Sequence, residues 1–369
     1  MPYTSNQSNL GTGALLDRLD TRDYKWSEVG SVLPPFGWNE EYSVLDEVKS
    51  AIGNPAFVLN AKNQDGSYSC GGQAWAYYGA VLESIFTKSY EERSAKFIYS
   101  QTYVQGGGSS GRDNNNLVTK QGWGLESLTP SYENGMPPGE YFMERGQDIT
   151  DNARAQAKLS KALSYASVDF GIDSLAQACK ANHGLIIGIV GKNNGTWMSR
   201  KPAPPKKKDD QLWQSPWYHW MYVGGAGMFE GEKAIRAINS WGNVAGDRGW
   251  QWITESYLNA ILDDSSHGNK TVFGAWTLMY DKNPQPSQGF THRFEVPIEF
   301  GMNSSEVKAL QTALKLTGDF PSSVPVTGFY GNITAQAVYK FQIRNGVYPT
   351  ARDHVGPKTR DILNTIFDK

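Results

Sequence analysis

Residues 63–81 read NQDGSYSCGGQAWAYYGAV, and two signals meet in this stretch. Ala74, Tyr77, Tyr78, Val81 and, just beyond, Ile85 recur at helical spacing, which predicts a helix over 70–88. Gly66 and Ser69 precede it as turn residues. Cys70 therefore opens the helix, where unpaired N–H groups and the helix dipole favour a thiolate. Gln64 stands six residues earlier. Its side-chain amide can join the Cys70 backbone N–H in stabilising an oxyanion. By itself the string fits a buried structural cysteine and a surface glutamine equally well.

Two further strings weigh on that choice. His219 lies in WYHWMYVGGAG, at the start of an apolar strand that ends in glycines. A histidine at a strand's mouth can act as general base toward a cysteine from another lobe. Asn239 follows twenty residues on, in INSWGN. Its amide oxygen can accept from the imidazole, and the indole of Trp241 can shield that bond from water. The other histidines, His183, His267, His292 and His354, make no pair at metal-ligand spacing, and the chain has no HExxH or CxxC. Neither a metal site nor a cofactor is expected.

Taken together, Gln64 and Cys70 in NQDGSYSC, His219 in HWMYVGG, and NSWGNVAGDRGWQWI from Asn239 to Ile253 resemble the papain-like cysteine peptidases. The strings Arg22-Asp23-Tyr24 and Phe97-Ile98-Tyr99 resemble bacterial and phage-type members. The resemblance covers about residues 20–280. It implies an α+β fold with two lobes, a helical one carrying the cysteine and a β-barrel one carrying histidine and asparagine. Substrate would lie in the cleft between them. It also implies roles: Cys70 as nucleophile, His219 as base, Asn239 as its orienter, Gln64 at the oxyanion and Trp241 as a shield.

Two departures stand against the pattern. The family commonly has a large residue after the nucleophile, and here it is Gly71. Trp75-Ala76-Tyr77 resembles the family's Trp-Ala-Phe, and an alignment on it places Ala74 at the nucleophile position, which implies a dead site. The six-residue interval from Gln64 favours Cys70. No long helical propeptide precedes Gln64, so autoinhibition by a prosegment of the usual kind is not expected. Cys179, the second of only two cysteines, reads as a small buried hydrophobe.

Composition narrows the function classes. The 369 residues carry a net charge of −2, which argues against a nucleic-acid partner. The longest apolar run, 185–190, is far too short to span a bilayer, and the start of the chain lacks the basic and apolar regions of a secretory signal. Neither a membrane nor a nucleic acid is an expected partner.

Residues 1–45 are polar and turn-rich, with Pro34-Pro35, and read as an extended arm on a larger body. The catalytic domain is expected over 46–280. Within it, 105–116 reads as a loop, 151–166 as a surface helix, 174–182 as a second helix and 184–191 as a buried strand. Residues 201–210, KPAPPKKKDD, read as a solvated excursion. Further strands are expected at 220–223, 234–239, 250–254 and 271–279.

Residues 281–295 are rich in Pro, Gln and Ser and read as a linker. Beyond it, 296–369 shows three amphipathic helix patterns, on Val307, Leu310 and Leu314, on Ala337, Val338 and Phe341, and on Ile362, Leu363, Ile366 and Phe367. Thr334 reads as the N-cap of the second, and Pro357 opens the third. Leu310-Gln311, Gly328-Phe329-Tyr330-Gly331, Phe341-Gln342 and Gly356-Pro357 with Thr359 resemble the small three-helix peptidoglycan-binding domain. That resemblance implies bacterial peptidoglycan as a partner. The sequence reading is a cysteine peptidase acting on peptide or protein at the bacterial cell wall, as a phage virion component or released lysis protein. Its rival is a non-catalytic adhesin or virion protein that keeps the fold.

Overall fold

The computed structural model describes residues 12–15, 17, 23, 25–27, 33–132, 139–191, 195–205, 217–262, 274–280, 290–320, 324–347 and 354–368. The chain divides into two compact units, Met1–Tyr280 and Asp281–Lys369. Among the described residues no helix is long and apolar enough to cross a membrane.

The helical side of the first unit is built around one helix. In chain order its helices include α1 (Val44–Ile52), α2 (Cys70–Thr87), α3 (Ala95–Thr102), α4 (Gly111–Lys120), α5 (Asp151–Ala157) and α6 (Ile172–Ala181). Helix α2 is apolar on every side, so it is buried from Cys70 through Ser84. Its buried Trp75 indole donates to Asn115 Oδ1 on α4 at 2.9 Å, which gives the indole N–H an acceptor inside the interface.

The other side is an antiparallel sheet of seven strands: β1 (Tyr42–Ser43), β2 (Ser164–Ser167), β3 (Leu185–Gly191), β4 (Trp217–Phe229), β5 (Glu232–Ile238), β6 (Trp250–Thr254) and β7 (Ala275–Met279). The order is β2-β7-β3-β4-β5-β6, with β1 paired to β4. Among the described residues the sheet does not close, which corrects the expected barrel: β2 and β6 end it without meeting. Strand β3 is buried along its whole length, as a continuous apolar run requires. The long β4 shifts register between Val223 and Gly225, a bulge at the glycines the sequence showed.

Several local expectations change. Helix α4 lies where a loop was expected. Ser110 caps it by accepting from the Asp113 N–H at 3.1 Å, and tertiary burial of Leu117 and Val118 overrides its poor helix propensity. Helix α5 stops at Ala157, and residues 164–167 pair with β7 as a strand. Trp26, Phe36 and Tyr42, from the expected arm, are buried in the first unit's core. Of the excursion at 201–210, residues 206–210 lie outside the described residues, as do 271–273 of the last expected strand, 281–289 of the linker, and Arg22 and Tyr24.

The second unit holds three helices, α7 (Ser305–Leu316), α8 (Asn332–Arg344) and α9 (Pro357–Phe367). Its core includes Val307, Leu310, Leu314, Val338, Phe341, Leu363 and Phe367, as the periodicity predicted. Phe294 is also in this core, so its packing begins before residue 296. Gly331, not Thr334, is the N-cap of α8. Thr334 is buried one turn in, where its hydroxyl accepts from Gln311 Nε2 at 2.9 Å. Gln311 Oε1 also accepts the N–H groups of Thr327 and Gly328 at 2.9 and 2.8 Å, so one buried amide holds the turn before α8. Gln311→Ala leaves those donors unpaired. It should cost about 1–3 kcal/mol, read as faster hydrogen exchange across residues 303–363 while the first unit's exchange is unchanged.

Candidate active site

The site is assembled where the first residue of α2 meets the start of β4. Cys70 Sγ accepts the backbone N–H of Trp220 at 3.5 Å, which places the sulfur beside the residue that follows His219. His219 Nε2 pairs with Asn239 Oδ1 at 2.9 Å. Because Asn239 Oδ1 also accepts the Ser240 N–H at 2.7 Å, it is the acceptor, so Nε2 carries the proton. Nδ1 of His219 is buried and has no hydrogen-bond partner among the described residues. Its lone pair is therefore free for a proton.

Register explains the pairing. Tyr222 on β4 faces Ile238 on β5, so Asn239 follows opposite Met221, and His219 shares that face two residues along. The Trp241 ring stacks on the imidazole, with centroids 4.8 Å apart and planes at 30°. Trp217 packs edge-on against Trp241 at 5.4 Å and Trp197 against Trp217 at 5.1 Å, so an indole wall covers the His219–Asn239 bond.

The sequence reading missed Gln251. Asn239 Nδ2 donates to Gln251 Oε1 at 2.8 Å, and Gln251 Nε2 donates to the carbonyls of Trp197 and Ser199 at 2.6 and 3.0 Å. Gln251 thus fixes which way the Asn239 amide points. The signal available was a polar residue inside the apolar string GWQWI. Gln64 is tied to the same segment. Its Oε1 accepts from the Ser240 hydroxyl, its backbone N–H donates to the Ser240 carbonyl at 2.8 Å, and its Nε2 donates to the Ser67 carbonyl at 2.8 Å. One amide proton of Gln64 remains for another acceptor.

The structure places the residues between which the sequence left a choice in different surroundings. Cys70, not Ala74, is the first residue of α2 and sits against Trp220. His183 pairs with Glu47 Oε2 at 2.5 Å and does not join the cluster. Cys179 is buried with its thiol toward the Val223 carbonyl at 3.7 Å. Gly71 is required by space: a Cβ there would lie 2.2 Å from Ser109 Oγ and 2.6 Å from Asn114 Nδ2. Among the described residues no group of His, Cys, Asp and Glu could hold a metal ion.

Burial governs the electrostatics. Cys70, His219, Asn239 and Gln64 are all 0% exposed. Desolvation pushes the Cys70 thiol up to about 12, against the lowering effect of the Trp220, Gly71 and Cys70 amides. Desolvation also brings His219 down to about 4, although the bond to Asn239 favours its charged form. The helix start acts in the direction the sequence suggested, but burial outweighs it, and both groups are neutral at pH 7.

The first unit resembles solved cysteine proteases. Xylellain, a cysteine protease from Xylella fastidiosa, is 20% identical, with a TM-score of 0.54 over 74% of this chain and 97% of its own. ProCathepsin B S9 from Trypanosoma congolense is 12% identical, with a TM-score of 0.55 over 75% and 89%. Digestive procathepsin L 3 of Tenebrio molitor larval midgut is 16% identical, with a TM-score of 0.50 over 74% and 76%. The first unit has the papain-like cysteine protease fold. Residues 303–363 match the family described as "Putative peptidoglycan binding domain". No curated protein matches the chain.

A thiol that titrates near 12 is alkylated through a thiolate fraction that grows tenfold per pH unit below that value. Alkylation of Cys70 in the whole chain should therefore rise steadily from pH 6 to pH 10. A plateau in that range, read by mass spectrometry of the Cys70 peptide, would mean an ion pair with His219 instead.

Proposed function

We propose that the first unit is a cysteine peptidase that hydrolyses peptide bonds by a Cys–His–Asn mechanism, and that the second unit carries it to bacterial peptidoglycan. The observation that supports this most is the buried imidazole. Its Nε2 is held by Asn239 under Trp241, its Nδ1 lone pair is unclaimed, and the Cys70 sulfur sits against the next residue of the same strand.

In this reading the Cys70 thiol proton passes to His219 Nδ1, and the thiolate sulfur bonds to the substrate's carbonyl carbon. The resulting oxyanion takes the Cys70 N–H and the remaining amide proton of Gln64. Collapse breaks the C–N bond, and His219 returns its proton to the leaving amine. A water then attacks the thioester with His219 as base, which releases the acid and restores the thiol. Asn239 keeps the imidazole in plane throughout, and Gln251 keeps Asn239 in place.

The second unit supplies location. The family its sequence matches is described as peptidoglycan-binding, and tethering raises the local substrate concentration without altering the chemistry. Stem-peptide or cross-bridge bonds of the wall, or proteins at the wall, are then the substrates at hand. A phage virion component or lysis enzyme is the setting that joins the two units' roles.

Cys70→Ala should reduce hydrolysis of peptidoglycan stem peptides and of a denatured protein to background, while Cys179→Ala keeps most of it. Product masses from both substrates check this, and equal loss in the two variants would sink the assignment. Removal of residues 281–369 should leave turnover of small soluble peptides within about twofold and lower the rate on insoluble wall by tenfold or more. If wall activity is untouched, the second unit does something other than anchor.

A further inference from the structure

Three of the site's groups ride on one short ladder. The Gln64 N–H donates to the Ser240 carbonyl at 2.8 Å, and the Gly242 N–H donates to the Lys62 carbonyl at 2.9 Å. Asn63 faces Trp241 between them as an antiparallel bridge. Gln64, at the oxyanion in the proposed reaction, therefore moves with Asn239 and Trp241, which hold and cover His219. The reaction depends on where this ladder stands relative to Cys70, and Cys70 belongs to α2.

A side chain of α2 spans the gap. Tyr77 lies about two helical turns after Cys70 and is buried. Its hydroxyl accepts the Lys62 N–H and donates to the Asn239 carbonyl at 3.2 Å. One oxygen thus joins both strands of the ladder to the helix that carries the sulfur. Burial pushes the phenol well above its ordinary value, so the hydroxyl keeps its proton and stays a donor to Asn239. Tyr132, which is outside α2, also reaches the ladder: its hydroxyl accepts the Asn63 N–H at 2.9 Å. Among the described residues that hydroxyl makes no bond to Asn239.

We propose that Tyr77 is a positioning residue, whose hydroxyl fixes the main chain of Asn239, and through the Asn239 amide the plane of the His219 imidazole, relative to Cys70. This rests on the peptidase reading of the same three residues. Tyr77 touches no reacting atom, and its effect is geometric. A displacement of about 1 Å in a reacting group costs on the order of a hundredfold in rate, and this hydroxyl is a direct link between the nucleophile's helix and the segment that orients the base. Periodicity hides the role, because Tyr77 reads as one more apolar position of the helix.

The test compares Tyr77→Phe with Tyr132→Phe in the whole chain. Each change removes one hydroxyl and keeps the ring, and the thermal midpoint of each variant reports that the fold is kept. Two readouts follow. One is steady-state turnover of a small soluble peptide. The other is the solvent-exchange rate of the His219 Nε2 proton, followed by NMR of histidine-labelled protein and assigned by its absence in His219→Ala. Tyr77→Phe should lower kcat by about tenfold with KM within about twofold, because substrate contacts stay and alignment is lost. The His219 proton should exchange at least about fivefold faster, as its bond to Asn239 opens more often. Tyr132→Phe should lower the thermal midpoint to a similar degree while kcat and the exchange rate stay within about twofold of the whole chain. An unchanged His219 exchange rate in Tyr77→Phe, an unchanged kcat where the whole chain turns over, or the same losses in both variants would overturn the positioning role. If the whole chain cleaves no peptide, yet Tyr77→Phe alone frees the His219 proton, the positioning role stands and the peptidase reading fails.

Discussion

The hydrogen bond from His219 Nε2 to Asn239 Oδ1 is the constraint around which the first unit is arranged. A buried imidazole with both nitrogens unpaired would carry a full desolvation penalty. Here one nitrogen is satisfied, and the satisfaction propagates. Asn239 is held by the Ser240 N–H and by Gln251, and Gln251 ends on two backbone carbonyls. A network of this kind rigidifies when every member has a partner. Among the described residues the atom of this network left without a partner is His219 Nδ1, on the residue next to Trp220, whose N–H reaches the Cys70 sulfur.

The helix and the sheet meet with little latitude. Helix α2 is buried along most of its length, so its first turn cannot drift away from β4. Gly71 and Trp220 show how close the approach is: no side chain fits after Cys70, and the Trp220 indole donates to the Ser109 carbonyl at 3.0 Å across the junction. A large residue after Cys70, usual in the resembled family, would collide with Ser109 and Asn114. The glycine is thus a local adaptation to a chain lying over the first turn.

The second unit uses a different economy. It has a small core and no disulfide, since both cysteines lie in the first unit. Two buried amides hold its turns. Gln311 serves the turn before α8, and Gln342 Nε2 donates to the His354 carbonyl and the Thr359 hydroxyl at 2.9 and 3.0 Å, tying α8 to the start of α9. These glutamines sit inside the apolar stripes of their helices, so periodicity alone reads them as interruptions.

The sequence by itself determined the parts whose cause is local. Helix α2, strands β3 and β6 and the three helices of the second unit follow from spacing, apolar runs and capping chemistry, while Cys70, His219 and Asn239 were picked out as a set by the family resemblance of their strings. The tertiary structure decided whatever depends on a partner distant in the chain. Helix α4 formed in a polar stretch because α2 offered it a buried face. Residues 164–167 became a strand because β7 offered them an edge. The open sheet, the role of Gln251, and the rise of the Cys70 thiol are likewise non-local. A side chain's charge state is set by the water it loses, and that loss depends on which distant segments fold over it.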